Sequence, residues 1–172
     1  RGSAPTDSVF LLHGVTGSGK TEVYLEALDR CVASGRRGIV LVPEIGLTPQ
    51  LVTRFSKRLG FEPLLLHSAL SDTERLRNWR AAAEGSAPLI IGTRSAVFVP
   101  LKNPGLMIID EEHDASLKQQ EGLRYSARDL AIARAKEFGV PIVLGSATPS
   151  LESLQRCREG AYQHLLMPTR AG

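Results

Sequence analysis

A glycine-rich segment near the start of the chain has the spacing of a phosphate-binding loop. It follows an apolar run, Val9–Leu12, typical of a buried strand, and precedes an amphipathic run, Glu22–Ala33, typical of a helix. Glycines let such a loop curl so that backbone N–H groups point at phosphate oxygens, and the helix N-terminus adds partial positive charge. The segment is therefore predicted to bind a nucleoside triphosphate through Gly14, Val15, Thr16, Gly17, Ser18, Gly19, Lys20 and Thr21.

Four side chains have predicted chemical roles in this site. Lys20 is expected to reach the β- and γ-phosphates, and the Thr21 hydroxyl is expected to bind Mg²⁺. Later in the chain, the apolar run Leu106–Ile109 leads directly into Asp110 and Glu111, and ligands collect at the carboxyl ends of buried parallel strands. We predict that Asp110 holds Mg²⁺ opposite Thr21. Glu111 is predicted to deprotonate the attacking water, which makes it a candidate catalytic residue with Lys20 and Asp110.

Composition indicates one globular domain. The chain has 172 residues, 42% hydrophobic and 23% charged, which suffices for one α/β core and not for two. The net charge of +3 permits a polyanionic partner without establishing one. No apolar run approaches the roughly 20 residues that span a membrane, so we expect no membrane contact and no signal peptide. Cys31 and Cys157 lie far apart and predict buried, reduced thiols with no zinc site in this fragment.

Apolar runs alternate with helical patterns along the whole chain. Helices are predicted at Glu22–Ala33, Gln50–Leu59, Arg75–Glu84 and Leu130–Phe138. Thr48 before Pro49, a capping box at Ser71–Glu74 and a similar start at Ser126 mark where the last three begin. This alternation predicts an α/β fold with a mostly parallel, doubly wound sheet and helices on both faces. The predicted strands are Val9–Leu12, Gly38–Val42, Pro63–Leu66, Leu89–Ile91, Leu106–Ile109 and Ile142–Leu144, with a weaker one near His164–Met167.

Three further segments follow predicted strands, at Pro43–Gln50, Gly92–Phe98 and Gly145–Ser150. Parallel strands bring these segments to the edge that carries the nucleotide site. Small residues, hydroxyls and an arginine suit a groove that holds a phosphate backbone without reading bases, although each segment alone is also compatible with a capped turn. The predicted contacts to nucleic acid in these segments are Pro43, Glu44, Gly46, Thr48, Gly92, Thr93 and Arg94.

In chain order these segments resemble motifs I, Ia, Ib, II and III of the superfamily 2 helicases. The strings Pro43–Gln50, Leu66–Ser68 and Lys118–Gly122 are similar to those of the bacterial replication-restart helicases in particular. The resemblance covers Val9 to Gly172 and implies a RecA-like P-loop NTPase lobe, the first of two. It implies a polar lead or linker at 1–8, the ATP-binding lobe at 9–168 and the start of an interlobe linker at 169–172. Motifs IV to VI, an arginine finger and a zinc module would lie on the second lobe.

The resemblance also implies a function. The whole protein would be an ATP-dependent DNA helicase that unwinds with 3′-to-5′ polarity, uses ATP and Mg²⁺, and restarts stalled replication forks in the bacterial cytoplasm, near the nucleoid. Its partners would be single-stranded and forked DNA, with primosome and single-strand-binding proteins reached through the full-length protein. The isolated lobe is expected to be nearly inactive. The alternatives are a non-catalytic primosome scaffold and another superfamily 2 DNA translocase.

The segment after Asp110–His113 departs from the family pattern. The family carries aromatic residues in this loop, thought to sense single-stranded DNA, whereas Leu117 and Leu123 occupy the corresponding positions here. We expect both leucines to pack the loop on the lobe, and the alternative, a weakened link between DNA binding and hydrolysis, stays open. Tyr125 is then the predicted stacking residue, with Lys118 and Arg124 as phosphate contacts.

Side chains that end neighbouring strands are predicted to couple hydrolysis to movement. His113 follows the acidic pair, and Ser146 and Thr148 belong to the segment after the sixth strand. We expect hydrogen bonds between these two segments at the nucleotide edge of the sheet.

Overall fold

The computed structural model describes residues 8–167, so the predicted linker at 169–172 and all but Ser8 of the predicted lead lie outside the described residues. The helices are α1 (Lys20–Ala33), α2 (Pro49–Leu59), α3 (Asp72–Glu84), α4 (Ala127–Phe138) and α5 (Leu151–Arg158). The strands are β1 (Val9–Gly14), β2 (Arg37–Leu41), β3 (Leu64–Leu66), β4 (Leu89–Gly92), β5 (Pro104–Ile109), β6 (Lys118–Gln119), β7 (Tyr125–Ser126), β8 (Ile142–Ser146) and β9 (Gln163–Met167).

Seven strands form one parallel sheet in the order β3-β4-β2-β5-β8-β1-β9, and β6 pairs with β7 in a small antiparallel hairpin. All seven predicted strands are present, including the weak one at the C-terminal end. In this order β8 lies between β1 and β5. The carboxyl ends of these three strands are therefore adjacent, which positions the glycine-rich loop, the acidic pair and the segment after β8 side by side.

Both faces of the sheet are covered, because successive strand residues point to opposite sides. Leu12, Val40 and Ile108 pack against α1 and α2 on one face. Residues next to them in sequence, Leu11 and Ile39 among them, form the second core with α3, α4 and α5. The prediction of a doubly wound α/β sheet is confirmed.

Side-chain caps mark where α2, α3, α4 and α5 begin. Thr48 Oγ1 accepts a hydrogen bond from Leu51 N at 3.2 Å at the start of α2. Ser71 and Glu74 form the predicted capping box of α3, with bonds of 3.2 and 2.9 Å. Each of the four predicted helices is confirmed and begins two or three residues before its apolar pattern, or one residue before it in α2.

The α5 helix was not predicted. Its eight residues include a single buried one, Ser153, and only Leu154 and Cys157 pack partly on the core, so its apolar pattern is short. The Ser150 side chain caps it by accepting a hydrogen bond from Ser153 N at 3.1 Å.

The segment His113–Tyr125 contains short regular elements that no sequence pattern predicted. It contains a 3-10 turn at Ala115–Leu117 and both the β6 strand and the start of the hairpin's second strand. Leu117 is 2% exposed, as expected, whereas Leu123 is 75% exposed, so the expectation that Leu123 packs on the lobe is wrong. The thiols of Cys31 and Cys157 are free but only partly buried, which corrects the prediction of buried thiols. In residues 8–167 no helix has the length and apolar character to cross a bilayer.

Candidate active site

The glycine-rich loop between β1 and α1 has the backbone of a phosphate cradle. Gly17 and Gly19 adopt left-handed conformations, with φ of 81 and 98°, which favour glycine. Gly14 is also required, because a Cβ added there would lie 2.4 Å from Ser18 Oγ. Ser18 N donates to Val15 O at 3.0 Å, which closes the turn. The loop thereby opens directly onto the N-terminus of α1, the end of a helix that attracts anions.

Lys20 and the acidic pair line one cleft of about 310 Å³. The Lys20 ammonium donates to Gly14 O at 2.6 Å and to Val15 O at 3.3 Å, so it lies over the loop that it would serve. The structure adds Arg54, a residue of α2 that the sequence analysis missed; its guanidinium donates to Glu22 at 2.6 Å. The cleft is lined by Thr16, Gly17, Gly19, Lys20, Thr21, Glu22, Arg54, Asp110 and Glu111.

Asp110 is held by Tyr24, a second residue that the sequence analysis missed. The Tyr24 hydroxyl is buried and donates to Asp110 Oδ1 at 2.8 Å. Burial, together with the adjacent Asp110 carboxylate, raises the pKa of Tyr24 well above its usual value, so the phenol stays a donor. The tyrosine reaches Asp110 past β8 because Gly145 has no side chain, and a Cβ there would lie 1.6 Å from the hydroxyl. Gly145 therefore leaves room for a side chain of α1 to reach the carboxylate that follows β5.

Glu111 has a strained backbone and a perturbed carboxylate. Its φ of 51° is a left-handed conformation that costs a non-glycine residue roughly 1–3 kcal/mol. Two hydrogen bonds fix it from both sides, from Asp110 N to Leu41 O at 2.9 Å and from Glu112 N to Gly145 O at 3.0 Å. Burial and the Asp110 carboxylate raise the pKa of Glu111, although His113 and Lys20 partly offset this. A raised pKa improves a carboxylate as a proton acceptor.

His113 joins the acidic pair to the segment after β8. Its Nε2 lies 3.4 Å from Glu111 Oε2, and its Nδ1 lies 2.6 Å from Ser146 Oγ. Ser146 is fully buried and also accepts a hydrogen bond from Thr148 N at 3.0 Å. A continuous polar path therefore runs from the Glu111 carboxylate to the backbone N–H of Thr148, whose own side chain is exposed.

Seven of the residues predicted to contact nucleic acid lie at the carboxyl ends of β2 and β4. Glu44 is exposed in a 3-10 turn with Gly46, while Pro43 is buried and Thr48 caps α2. Gly92 and Thr93 are both buried. Gly92 admits no side chain, because a Cβ there would lie 2.3 Å from Ala96 Cβ. The exposed surface of this group is therefore contributed mainly by Glu44.

The loop after the acidic motif is attached to the Gly92–Phe98 segment by two contacts. Arg94 Nη1 donates to the carbonyls of Ser116 and Lys118 at 3.2 and 3.3 Å. Tyr125 packs edge-on against Phe98 with ring centroids 4.8 Å apart. Lys118 and Arg124 are exposed and available to a phosphate backbone. The loop and the segment thus form one surface beside the nucleotide cleft.

Comparisons with known proteins show which family, sequences and structures this chain is similar to. The model of the DEAD/DEAH box helicase family matches residues 4–157. The replication restart protein PriA of Haemophilus influenzae is 53% identical over 165 residues, which cover 96% of this chain and 23% of that relative. PriA of Bacillus subtilis is 51% identical over 162 residues, which cover 94% of this chain and 20% of that relative.

A solved structure also shares the fold. The structure of RecG bound to a three-way DNA junction has a TM-score of 0.65 at 24% identity, over 95% of this chain and 21% of that one. The resemblance drawn from the motifs is confirmed, and the chain spans less than a quarter of these relatives.

Proposed function

The chain belongs to the DEAD/DEAH box helicase family, and we propose on that basis that it is the ATP-binding motor lobe of a DNA helicase that restarts stalled replication forks. In this proposal the lobe occupies residues 9–168 and is the first of two RecA-like lobes of a longer protein. The observation that carries it is the single cleft formed by Lys20, Thr21, Asp110 and Glu111 at the carboxyl edge of the sheet. The PriA relatives support the assignment to replication restart.

Several residues that line or support the cleft have roles in ATP hydrolysis under this proposal. The loop N–H groups and Lys20 bind the β- and γ-phosphates, and Arg54 lines the same cleft in an ion pair with Glu22. Glu111 accepts the proton of the attacking water, and Tyr24 fixes the Asp110 carboxylate in one orientation. The Thr21 hydroxyl and the Asp110 carboxylate are hard oxygen donors that line the same cleft, which suits Mg²⁺. When bound, the ion would neutralise phosphate charge.

The polar path from Glu111 to Thr148 is the proposed coupling element. His113 contacts both the base and Ser146, so a shift of the γ-phosphate region would change the position of the segment that ends at α5. Single-stranded DNA would lie across the ends of β2 and β4 and along the loop after the acidic motif. Primosome and single-strand-binding proteins would be bound by the full-length protein, which would act in the bacterial cytoplasm on the nucleoid.

The function is tested by measuring ATP turnover and unwinding of a forked duplex by the full-length protein. We expect hydrolysis to rise on addition of single-stranded DNA, and we expect unwinding with 3′-to-5′ polarity. A protein that binds forks but shows no DNA-stimulated hydrolysis would support the scaffold alternative instead. In the same assay, His113→Ala is expected to lower the base pairs opened per ATP more than it lowers ATP affinity, because it removes the contacts to both Glu111 and Ser146.

A further inference from the structure

The residue between the proposed base and His113 is itself buried and charged. Glu112 is 2% exposed, and its carboxylate accepts four hydrogen bonds: from Ser150 N at 2.7 Å, Ser150 Oγ at 3.2 Å, Ser153 Oγ at 2.9 Å and Arg128 Nη1 at 3.2 Å. A buried carboxylate is costly unless such donors satisfy it. None of these contacts belongs to the nucleotide cleft, so the proposed hydrolysis does not account for the charge.

Arg128 gives the carboxylate a buried partner. Its guanidinium is 7% exposed and also donates to Asp129 Oδ1 at 3.2 Å, to Ser150 Oγ at 3.0 Å and to Glu152. Because Asp129 and Glu152 also neutralise it, Arg128 keeps partners when Glu112 loses its charge. A change at Glu112 can therefore be tested without leaving an arginine buried and unpaired.

Glu112, Arg128, Ser150 and Ser153 form a buried cluster, which joins three parts of the chain at the Glu112 carboxylate. Glu112 directly follows the strained Glu111, Arg128 is the second residue of α4 and closes the loop after the acidic motif, and Ser150 starts α5. The segment Gly145–Ser150 is consequently held at both ends by residues of the acidic motif. His113 holds its start through Ser146, and Glu112 holds its end through Ser150.

We propose that Glu112 is a positioning residue for energy coupling, whose buried carboxylate fixes the α5 end of Gly145–Ser150 and the α4 end of the loop relative to Glu111. The inference rests on the proposed function. With this anchor, a displacement at the γ-phosphate moves the loop and the Gly145–Ser150 segment together. Without it, the start of the segment still follows His113, but its end and the loop do not.

The test compares Glu112→Gln with the exposed control Glu159→Gln in the full-length protein. The amide keeps the size of the side chain but accepts the four hydrogen bonds less well and lacks the charge. We expect Glu112→Gln to keep ATP affinity within about 3-fold and to lower the base pairs opened per ATP by roughly 10-fold. DNA-stimulated kcat should fall more than basal kcat, a difference that a general loss of stability does not produce. Glu159→Gln should match the wild type.

The cluster makes a second comparison possible. The double variant Glu112→Gln with Arg128→Met should lose less coupling, measured as base pairs opened per ATP, than the sum of the losses in the two single variants. The reason is that the two side chains act as a pair. If Glu112→Gln does not fold, Ser153→Ala removes one donor to the carboxylate and should lower coupling by about 3-fold. A folded Glu112→Gln, or failing that Ser153→Ala, with wild-type coupling overturns the inference. If the wild type itself shows no DNA-stimulated hydrolysis, the proposed function fails instead.

Discussion

Replacing Lys20 by alanine is expected to abolish ATP binding at ordinary ligand concentrations. Lys20 is the cation of the glycine-rich loop, and its ammonium already lies within 2.6 Å of Gly14 O, at the rim of the cradle. Loss of its charge-assisted contacts to the phosphates should weaken ATP affinity by about 100-fold or more. Isothermal titration of ATP·Mg²⁺ measures this directly.

The matched control for that experiment is Lys136→Ala. Lys136 is an exposed lysine in the last turn of α4, on the opposite face of the sheet from α1. It removes the same charge from the protein without touching the loop, so its ATP affinity should equal that of the wild type. Unchanged ATP binding by Lys20→Ala would show that the glycine-rich loop is not the nucleotide site.

Glu111→Gln in the full-length protein is expected to keep ATP binding and lose hydrolysis. The amide has the shape of the carboxylate but cannot accept the proton of the attacking water. General base catalysis is worth about 10²–10⁴-fold, and turnover should fall by that factor. Steady-state hydrolysis and ATP titration of the same preparation separate the two effects, with Glu84→Gln as an exposed control. Turnover equal to wild type would assign the base to another residue.

Hydrolysis by the wild type and by Glu111→Gln should also differ in how kcat/KM depends on pH. Burial and Asp110 raise the pKa of Glu111 above its ordinary value of 4.5, so the carboxylate loses its basic form at a higher pH than a free glutamate does. When the pH is lowered, kcat/KM of the wild type should fall, and the midpoint of this fall should lie above pH 4.5. In Glu111→Gln this acid limb should be absent from the residual rate.

Local patterns were sufficient to predict the fold. Alternating apolar strands and helices defined the parallel sheet, and the capping residues Thr48, Ser71 and Ser126 marked helix starts that the structure contains. The loop and the acidic pair were predicted to meet because both follow strands at one edge. The α5 helix was missed because its apolar pattern is short, with only Leu154 and Cys157 packed on the core, and the contact between its Ser150 cap and Glu112 joins segments distant in sequence.

Contacts between distant segments could not be predicted in the same way. Tyr24 and Arg54 lie on helices, and their approach to the cleft depends on how α1 and α2 pack on the sheet. Glu112 could have been a solvated acid as far as the sequence shows. Its burial follows from the position of β8 between β1 and β5, which brings Ser150 and Arg128 to the end of the acidic motif.

The proposal that this chain is one lobe of a two-lobed, ATP-driven DNA motor is tested most directly by the turnover of residues 1–172 alone. An arginine from a second lobe contributes roughly 10³–10⁵-fold to hydrolysis in such motors, and the DNA groove needs both lobes. ATP hydrolysis should be measured with and without single-stranded DNA, beside the full-length protein and a Lys20→Ala lobe that reveals contaminating ATPase. We predict that the lobe binds nucleotide weakly, binds single-stranded DNA weakly and in a salt-sensitive way, and hydrolyses ATP at a negligible rate whether or not DNA is present. DNA-stimulated turnover by the lobe at the rate of the full-length protein, absent from Lys20→Ala, would contradict this division of labour.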